Sequence, residues 1–285
     1  MEKIKQNPLL SLMRQPKIYV KLPSDGEYWP DASLNRSVNA EYPVYSMTAR
    51  DELLLKTPDA LLNGQAVVDV IQSCMPNIVN AWHTPNIDLD VILIAIRLAT
   101  YGETMETTVA TGSDVDMTYK MDLRTLLDQL YTTIQWQNRV EVNDQMVIYV
   151  KPLTYYDITR TSIQTFETQR IMAVVSDNTL TDEQKIQTFR ESFAKLTELT
   201  VGLVSNSVYK IDSTAGTTDD LDFIAEFMQN CDRSVFDSIK KHLDSMREQN
   251  SLKPVTIETT PEMRAQGAAD TIEIPIVFDP ASFFA

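Results

Sequence analysis

Histidine is the side chain best suited to acid–base chemistry near neutral pH, and the chain contains two. His83 stands between Trp82 and Pro85 in a predicted loop, and His242 lies beside Lys241 on a charged helix face. Neither has a second histidine at the spacing of a metal site, and no His-Glu-x-x-His segment occurs. We therefore expect neither histidine to be catalytic or to bind a metal.

Three acidic clusters could bind a divalent cation: "DLD" at 88–90, "SDVDM" at 113–117 and "TDDLD" at 218–222. None continues into a calcium loop with a central glycine and a terminal glutamate. Asp219 and Asp220 stand where a helix N-terminus favours negative charge, which indicates a structural role. The remote alternative is a metal-dependent hydrolase that uses Asp and Glu side chains, with Asp114 and Asp116 as the residues to test. Paired carboxylates for glycoside hydrolysis also stay open, since such a pair can meet only in the fold.

Neither the cysteines nor the glycines form a motif of known chemistry. Cys74 and Cys231 are far apart, and neither belongs to a Cys-x-x-Cys pair, so we expect reduced, buried thiols. The seven glycines form no dinucleotide-binding or phosphate-binding loop, and no Gly-x-Ser-x-Gly segment occurs. The sequence therefore predicts a protein that is not an enzyme and has no cofactor or metal.

The balance of charge is strongly acidic, with a net charge of -15. This argues against partners that are nucleic acids or anionic membrane surfaces. Residues 1–21 differ, because they hold five basic side chains against one acidic side chain. This basic arm, with Lys3, Lys5, Arg14 and Lys17, docks either on the acidic body of the chain or on an acidic neighbour. Both interpretations stay open.

The elements that position these residues predict an α+β fold. Five prolines in residues 1–45 favour an extended arm with a turn at "LPSDG" and a short strand at "KIYVKL". In residues 46–153, Thr48 caps a helix from Ala49 and Asp51 completes a capping box. That helix ends near Lys56, a second short helix begins at Pro58, and a third spans 65–74. A buried helix at 88–100 and hairpins at 105–123 and 139–153 follow.

The second half is predicted as a helical bundle over residues 154–250. Helices are expected at 155–175, 182–204 and 233–248, with another capped at Thr218. In the second of these helices, Ile186, Phe189, Phe193, Leu196 and Leu203 lie along one face. Residues 251–285 then form strands and an aromatic tail. Residues 46–285 forming one compact unit is the alternative to these divisions.

The C-terminal segment "IEIPIVFDPASFFA" is unusually aromatic for a chain end. It contains Phe278, Phe283 and Phe284, with a turn signal at Pro280. One interpretation is that the aromatic side chains fill the protein's own core. The other is that they insert into a pocket of a partner.

Several long segments resemble one known family. They are "NPLLSLMRQPKIYVKLPSDGEYW", "YSMTARDELLLKTPDALLNGQAVVDVIQSCMPN", "YVKPLTYYDITRTSIQTFETQRI" and "IPIVFDPASFF". Together they are similar, in order and over nearly the whole chain, to the baseplate hub proteins of T-even-like, contractile-tailed bacteriophages. The stretch from Met47 to Gly64 is the most specific part, and Ser46 stands where the family pattern has proline.

The resemblance implies a non-enzymatic subunit or assembly factor of the phage tail hub. Its partners would be other tail proteins, and it would be made in the host cytoplasm during assembly. A transient chaperone and a permanent virion component both stay open, as does a homo-oligomer. Some relatives carry Cys-x-x-Cys pairs near 105–123 and before the last strand. This chain lacks those cysteines, so metal binding is not carried over.

Overall fold

The computed structural model describes residues 9, 13–57, 64–109, 117–160, 181–265, 269–274, 276 and 283. The fold is α+β, as predicted, with helices beside small antiparallel sheets. Two hydrophobic cores organise it. Core 1 is built mainly from residues 18–134, and core 2 is built from residues 136–150 and 204–243.

Core 1 surrounds one very apolar helix. Its elements are β1 (Pro16–Lys21), β2 (Glu41–Tyr45), α1 (Ala49–Leu55), α2 (Gln65–Cys74) and α3 (Asn86–Tyr101), with a 3-10 turn at Ala81–His83. β1 and β2 form an antiparallel hairpin. Residues 91–96 of α3 are each at most 3% exposed, because a helix that is apolar on all sides must be covered on all sides.

A second hairpin and a helix complete core 1. β3 (Thr104–Val109) pairs with β4 (Met117–Asp122), and α4 (Leu123–Thr133) follows directly. The Asp122 carboxylate caps α4 by accepting from the backbone N–H of Arg124 at 2.8 Å. α4 then buries Leu123, Leu126 and Leu130, which share one face at spacings of three and four residues.

Core 2 lies between a four-stranded sheet and helices. The strands are β5 (Arg139–Asn143), β6 (Met146–Val150), β7 (Val208–Ser213) and β8 (Gly216–Thr218), antiparallel and in sequence order. The helices are α5 (Asp182–Ser207), α6 (Leu221–Asn230) and α7 (Arg233–Asn250). β6 pairs with β7 although residues 151–207 separate them, so the central pairing of this sheet is non-local.

The end of the chain returns to core 1. The side chain of Asn250, at the end of α7, accepts from the backbone N–H of Gln135 at 2.9 Å. β9 (Val255–Glu258), α8 (Pro261–Ala265) and β10 (Thr271–Ile274) follow, with the two strands paired antiparallel. Ile276 and Phe283 then pack into core 1. None of the helices in the described ranges is both long and apolar enough to cross a membrane.

Most of the predicted local signals are confirmed. Thr48 and Asp51 form the predicted capping box, and α1 ends at Leu55. Gly64 adopts a left-handed conformation with φ 78° directly before α2. The predicted short helix from Pro58 and the turn of the hairpin predicted at 105–123 lie outside the described residues. So does most of the helix predicted at 155–175, of which residues 155–160 are helical.

The predicted helix cap at Thr218 is wrong. Thr218 is the last residue of β8 and pairs with Ile211, so it belongs to the sheet. Asp220 caps α6 instead, and its carboxylate accepts from the backbone N–H of Asp222 at 2.9 Å and of Phe223 at 3.3 Å. The pairing of Thr218 with β7 cannot be recognised from neighbouring residues alone, and it moves the helix cap from Thr218 to Asp220.

The region predicted as an N-terminal arm contributes much of core 1. Its buried side chains are Val20, Leu22, Trp29, Leu34, Tyr42 and Val44, each at most 3% exposed. Val20, Tyr42 and Val44 are buried because the β1–β2 hairpin turns one face toward α3. The divisions at 45 and 153 stay predictions, although the sheet of core 2 takes strands from both sides of residue 153.

Candidate interaction surfaces

Arg14 from the basic arm docks on the body of the chain. Its guanidinium donates to the carbonyl oxygens of Ser46 at 2.7 Å and Ser73 at 2.6 Å. It also lies 3.7 Å from the carboxylate of Asp51 and 5.7 Å from the ring centroid of Tyr45. The basic arm was predicted to dock either on the acidic body of the chain or on an acidic neighbour. Arg14 docks on the body.

The carboxylate of Asp51 is the centre of this network. It is buried, and it accepts from the Thr48 backbone at 2.7 Å, the Thr48 hydroxyl at 2.8 Å and the Ser73 hydroxyl at 3.0 Å. The charge of Arg14 offsets the cost of burying this carboxylate. The same aspartate thus completes the cap of α1, joins α1 to α2 and lies beside Arg14, two residues before β1.

The other basic residues that were predicted to bind partners divide into two groups. Lys17 is exposed on β1. Lys3 and Lys5 lie outside the described residues. Lys17 can therefore reach a partner without any rearrangement of the fold, whereas Arg14 is already used within it.

The acidic cluster at 88–90 has a structural role. Asp88 is fully buried, and its carboxylate accepts from the backbone N–H of Ser24 at 2.8 Å, the hydroxyl of Ser24 at 2.5 Å and the indole N–H of Trp29 at 2.7 Å. Burial raises the pKa of Asp88 to about 6, and these hydrogen bonds oppose that rise. The three donors fix the loop after β1 to α3.

The remaining acidic candidates offer no assembled metal site in the structure as described. Asp114 and Asp116 lie outside the described residues, and Asp220 is used as a helix cap. Within the described ranges, no group of three His, Cys, Asp or Glu side chains is placed to hold a metal ion.

Both histidines contact groups of the chain itself. The Nδ1 atom of His83 lies 2.7 Å from the hydroxyl of Ser33, but Ser33 is only 2% exposed. A substrate could not reach that hydroxyl, so this Ser–His contact is unsuited to nucleophilic catalysis. The Nε2 atom of His242 lies 2.7 Å from the carbonyl oxygen of Gln137 and links α7 to the segment before β5.

Phe283 lies inside core 1, at 1% exposure. The guanidinium of Arg97 donates to its carbonyl oxygen and lies 5.3 Å from its ring centroid. The burial of Phe283 supports the interpretation in which the tail fills the protein's own core. Phe278, Pro280 and Phe284 lie outside the described residues, so for them the partner-binding interpretation is a prediction.

The largest difference from the sequence analysis concerns the first half of α5. Its apolar face was predicted to belong to a helical bundle, but Ile186, Phe189 and Phe193 are 54%, 46% and 59% exposed. The two phenylalanine rings stack with centroids 6.0 Å apart and an interplanar angle of 12°. We call Ile186, Phe189 and Phe193 the α5 strip. Its helical spacing was visible in the sequence, but its exposure was not.

α6 carries a second exposed pair. Leu221 and Phe223 in its first turn are both 63% exposed, whereas Ile224 and Met228 are buried in core 2. Exposed aromatic side chains in clusters are typical of surfaces that bind other proteins. The α5 strip is the larger of these two clusters and is the stronger candidate.

A comparison with known families settles the class of the protein. The family model described as T4 bacteriophage base plate protein matches residues 15–262. The chain belongs to this family. It is a phage baseplate protein. No curated protein and no solved structure matches the chain.

The residues that match the family model include the exposed clusters of this baseplate protein. Residues 15–262 include both exposed clusters, on α5 and α6. The range begins just after Arg14 and ends before Phe283, the two predicted contact residues that the fold uses internally. The candidate interaction surface is therefore part of the region that the family shares.

Proposed function

We propose that this baseplate protein acts without catalysis as an assembly factor of the baseplate hub, where it binds other tail proteins. It would do so in the host cytoplasm, before or during the joining of the hub proteins. The exposure of the α5 strip is the observation that carries this proposal. An apolar surface of this kind costs solubility unless a partner covers it.

The chemistry of the described polar clusters is consistent with a role that does not involve catalysis. The carboxylates of Asp51 and Asp88 are surrounded by donors from the chain itself, so they are poorly placed to act on a substrate. The hydroxyl of Ser33 is buried beside His83. These groups hold loops and helices together, as an interaction protein requires.

Quantitative mass spectrometry of purified particles beside infected-cell lysates tests the proposal. We expect the protein to be abundant in lysates and absent, or present below one copy per hub, in finished particles. Phage with the gene deleted should accumulate unjoined hub proteins. A fixed copy number in every particle would instead identify a permanent structural subunit. Normal particle yield without the gene would contradict both roles.

A further inference from the structure

We propose that the α5 strip is a ligand helix, which inserts into a hydrophobic groove with an acidic rim on another tail protein. This inference rests on the proposed function and names its binding mode. Ile186, Phe189 and Phe193 stand at positions i, i+3 and i+7. A helix that binds in a groove presents its anchoring side chains with this spacing.

The α5 strip continues a face that is buried farther along the same helix. Val204, 5% exposed, packs in core 2 and lies five helical turns after Ile186, so both side chains point to the same side. The distance along the axis is about 27 Å. At its C-terminal end this face is covered by the chain itself, and at its N-terminal end it is exposed.

The attachment of α5 to core 2 prepares the helix for binding. The strip is part of a 26-residue helix, so its backbone is already ordered before any partner arrives. Binding would then immobilise little more than the three side chains, which lowers the entropic cost of association. The stacked rings of Phe189 and Phe193 present one continuous apolar surface to a groove.

The charge beside the strip favours a different chain as the occupant. Exposed Arg190 lies at the edge of the strip, between the two phenylalanines in sequence. A two-fold contact centred on the strip would bring Arg190 against Arg190 of a second copy, which is unfavourable. An acidic side chain on the rim of a foreign groove would instead complement Arg190.

A shifted register does not rescue the pairing of two copies. Glu183 lies seven residues before Arg190, and an antiparallel pair could place these two side chains opposite each other. The symmetry axis would then fall beside Ile186, and Phe193 would lie beyond the start of the second α5 helix. That arrangement leaves Phe193, one of the three anchors, outside the contact between the two α5 helices.

Binding of the full-length chain to individually purified hub proteins of the same phage tests the inference. We expect one of these proteins to bind the wild type, and the Phe189→Ala/Phe193→Ala variant to bind at least about 30-fold more weakly. The matched control is Leu221→Ala/Phe223→Ala, which removes a pair of α6 side chains that are each 63% exposed. It should change the affinity less than about threefold. The melting temperatures of all three proteins should agree, because the substituted side chains are exposed.

The charge of Arg190 gives an independent readout. Arg190→Glu should weaken binding and change its dependence on salt, whereas Arg190→Lys should keep most of the affinity. Equal affinities of the wild type and the double phenylalanine variant would overturn the inference and leave the proposed function standing. A wild-type dimer that dissociates in that variant, measured by sedimentation, would assign the strip to a second copy and also overturn it. Binding of the wild type to none of the hub proteins would refute the inference and the proposed function together.

Discussion

Replacing Phe283 by alanine should destabilise the protein strongly, because its ring is 1% exposed in core 1. A buried phenylalanine removes roughly 150–200 Å² from water, worth about 4–5 kcal/mol at about 25 cal/mol per Å². Large-to-small substitutions of this type cost about 3–5 kcal/mol. Since a domain is stable by only about 5–15 kcal/mol, this is a large share of the total.

Urea denaturation of the full-length chain measures the effect. We expect the free energy of unfolding to fall by about 4 kcal/mol and the melting temperature to fall by roughly 10 °C. Phe193→Ala is the matched control, because it removes the same side chain from a site that is 59% exposed. It should change the free energy of unfolding by less than about 0.5 kcal/mol.

Equal stabilities of the two alanine variants would refute the placement of Phe283 in the core. Deleting residues 281–285 provides a second test. This truncation also removes the carbonyl oxygen that accepts from Arg97 and leaves a buried guanidinium N–H without that acceptor. It should therefore cost about 1–3 kcal/mol more than Phe283→Ala. A truncated chain with wild-type stability that no longer bound its partner would restore the interpretation of the tail as an anchor.

Three further predictions concern contacts within the fold. In a double-mutant cycle of Arg97→Met and Phe283→Ala, the losses of unfolding free energy should be non-additive by about 0.5–3 kcal/mol. The reason is that the Arg97 guanidinium contacts both the ring and the carbonyl oxygen of Phe283. Additive losses would mean that the two side chains act separately. Thr48→Ala should cost about 1 kcal/mol of unfolding free energy, and Thr48→Ser should restore it, because the cap needs only the hydroxyl. The contribution of Asp88 to stability should decline as the pH rises from about 4 to about 6, since burial raises the pKa of Asp88 from 3.8 to about 6 and the folded chain binds that proton more tightly than the unfolded chain. Urea denaturation at several pH values should show a smaller decline for Asp88→Asn, and an identical decline would contradict this assignment.

Local signals in the sequence predicted most elements of the fold correctly. The capping box of Thr48 and Asp51, the helix spanning Gln65–Cys74 and the β5–β6 hairpin all follow from residues a few positions apart. Caps and turns are determined by such short-range contacts, so they can be recognised without the rest of the chain. The error at Thr218 arose where a sheet pairing competed with a cap.

The candidate interaction surface was predicted less well. The sequence showed the spacing of Ile186, Phe189 and Phe193, but a helix has the same period whether its apolar face meets its own chain or a partner. Charge predicted that the basic arm would find an acidic surface. It could not choose between the chain's own body and a neighbour, and the contacts of Arg14 with Ser46 and Ser73 required the folded chain.

The sequence by itself determined the local elements, the α+β class and the resemblance to phage baseplate hub proteins. The tertiary structure alone decided which faces are covered. Phe283 is buried in core 1 by Arg97 and by other residues that are distant from it in the sequence, so its burial depends on the folded chain. The α5 strip is exposed because core 2 covers only the far end of the same helix face, at Val204. Burial depends on surfaces brought together across long sequence separations, and that information is absent from any local pattern.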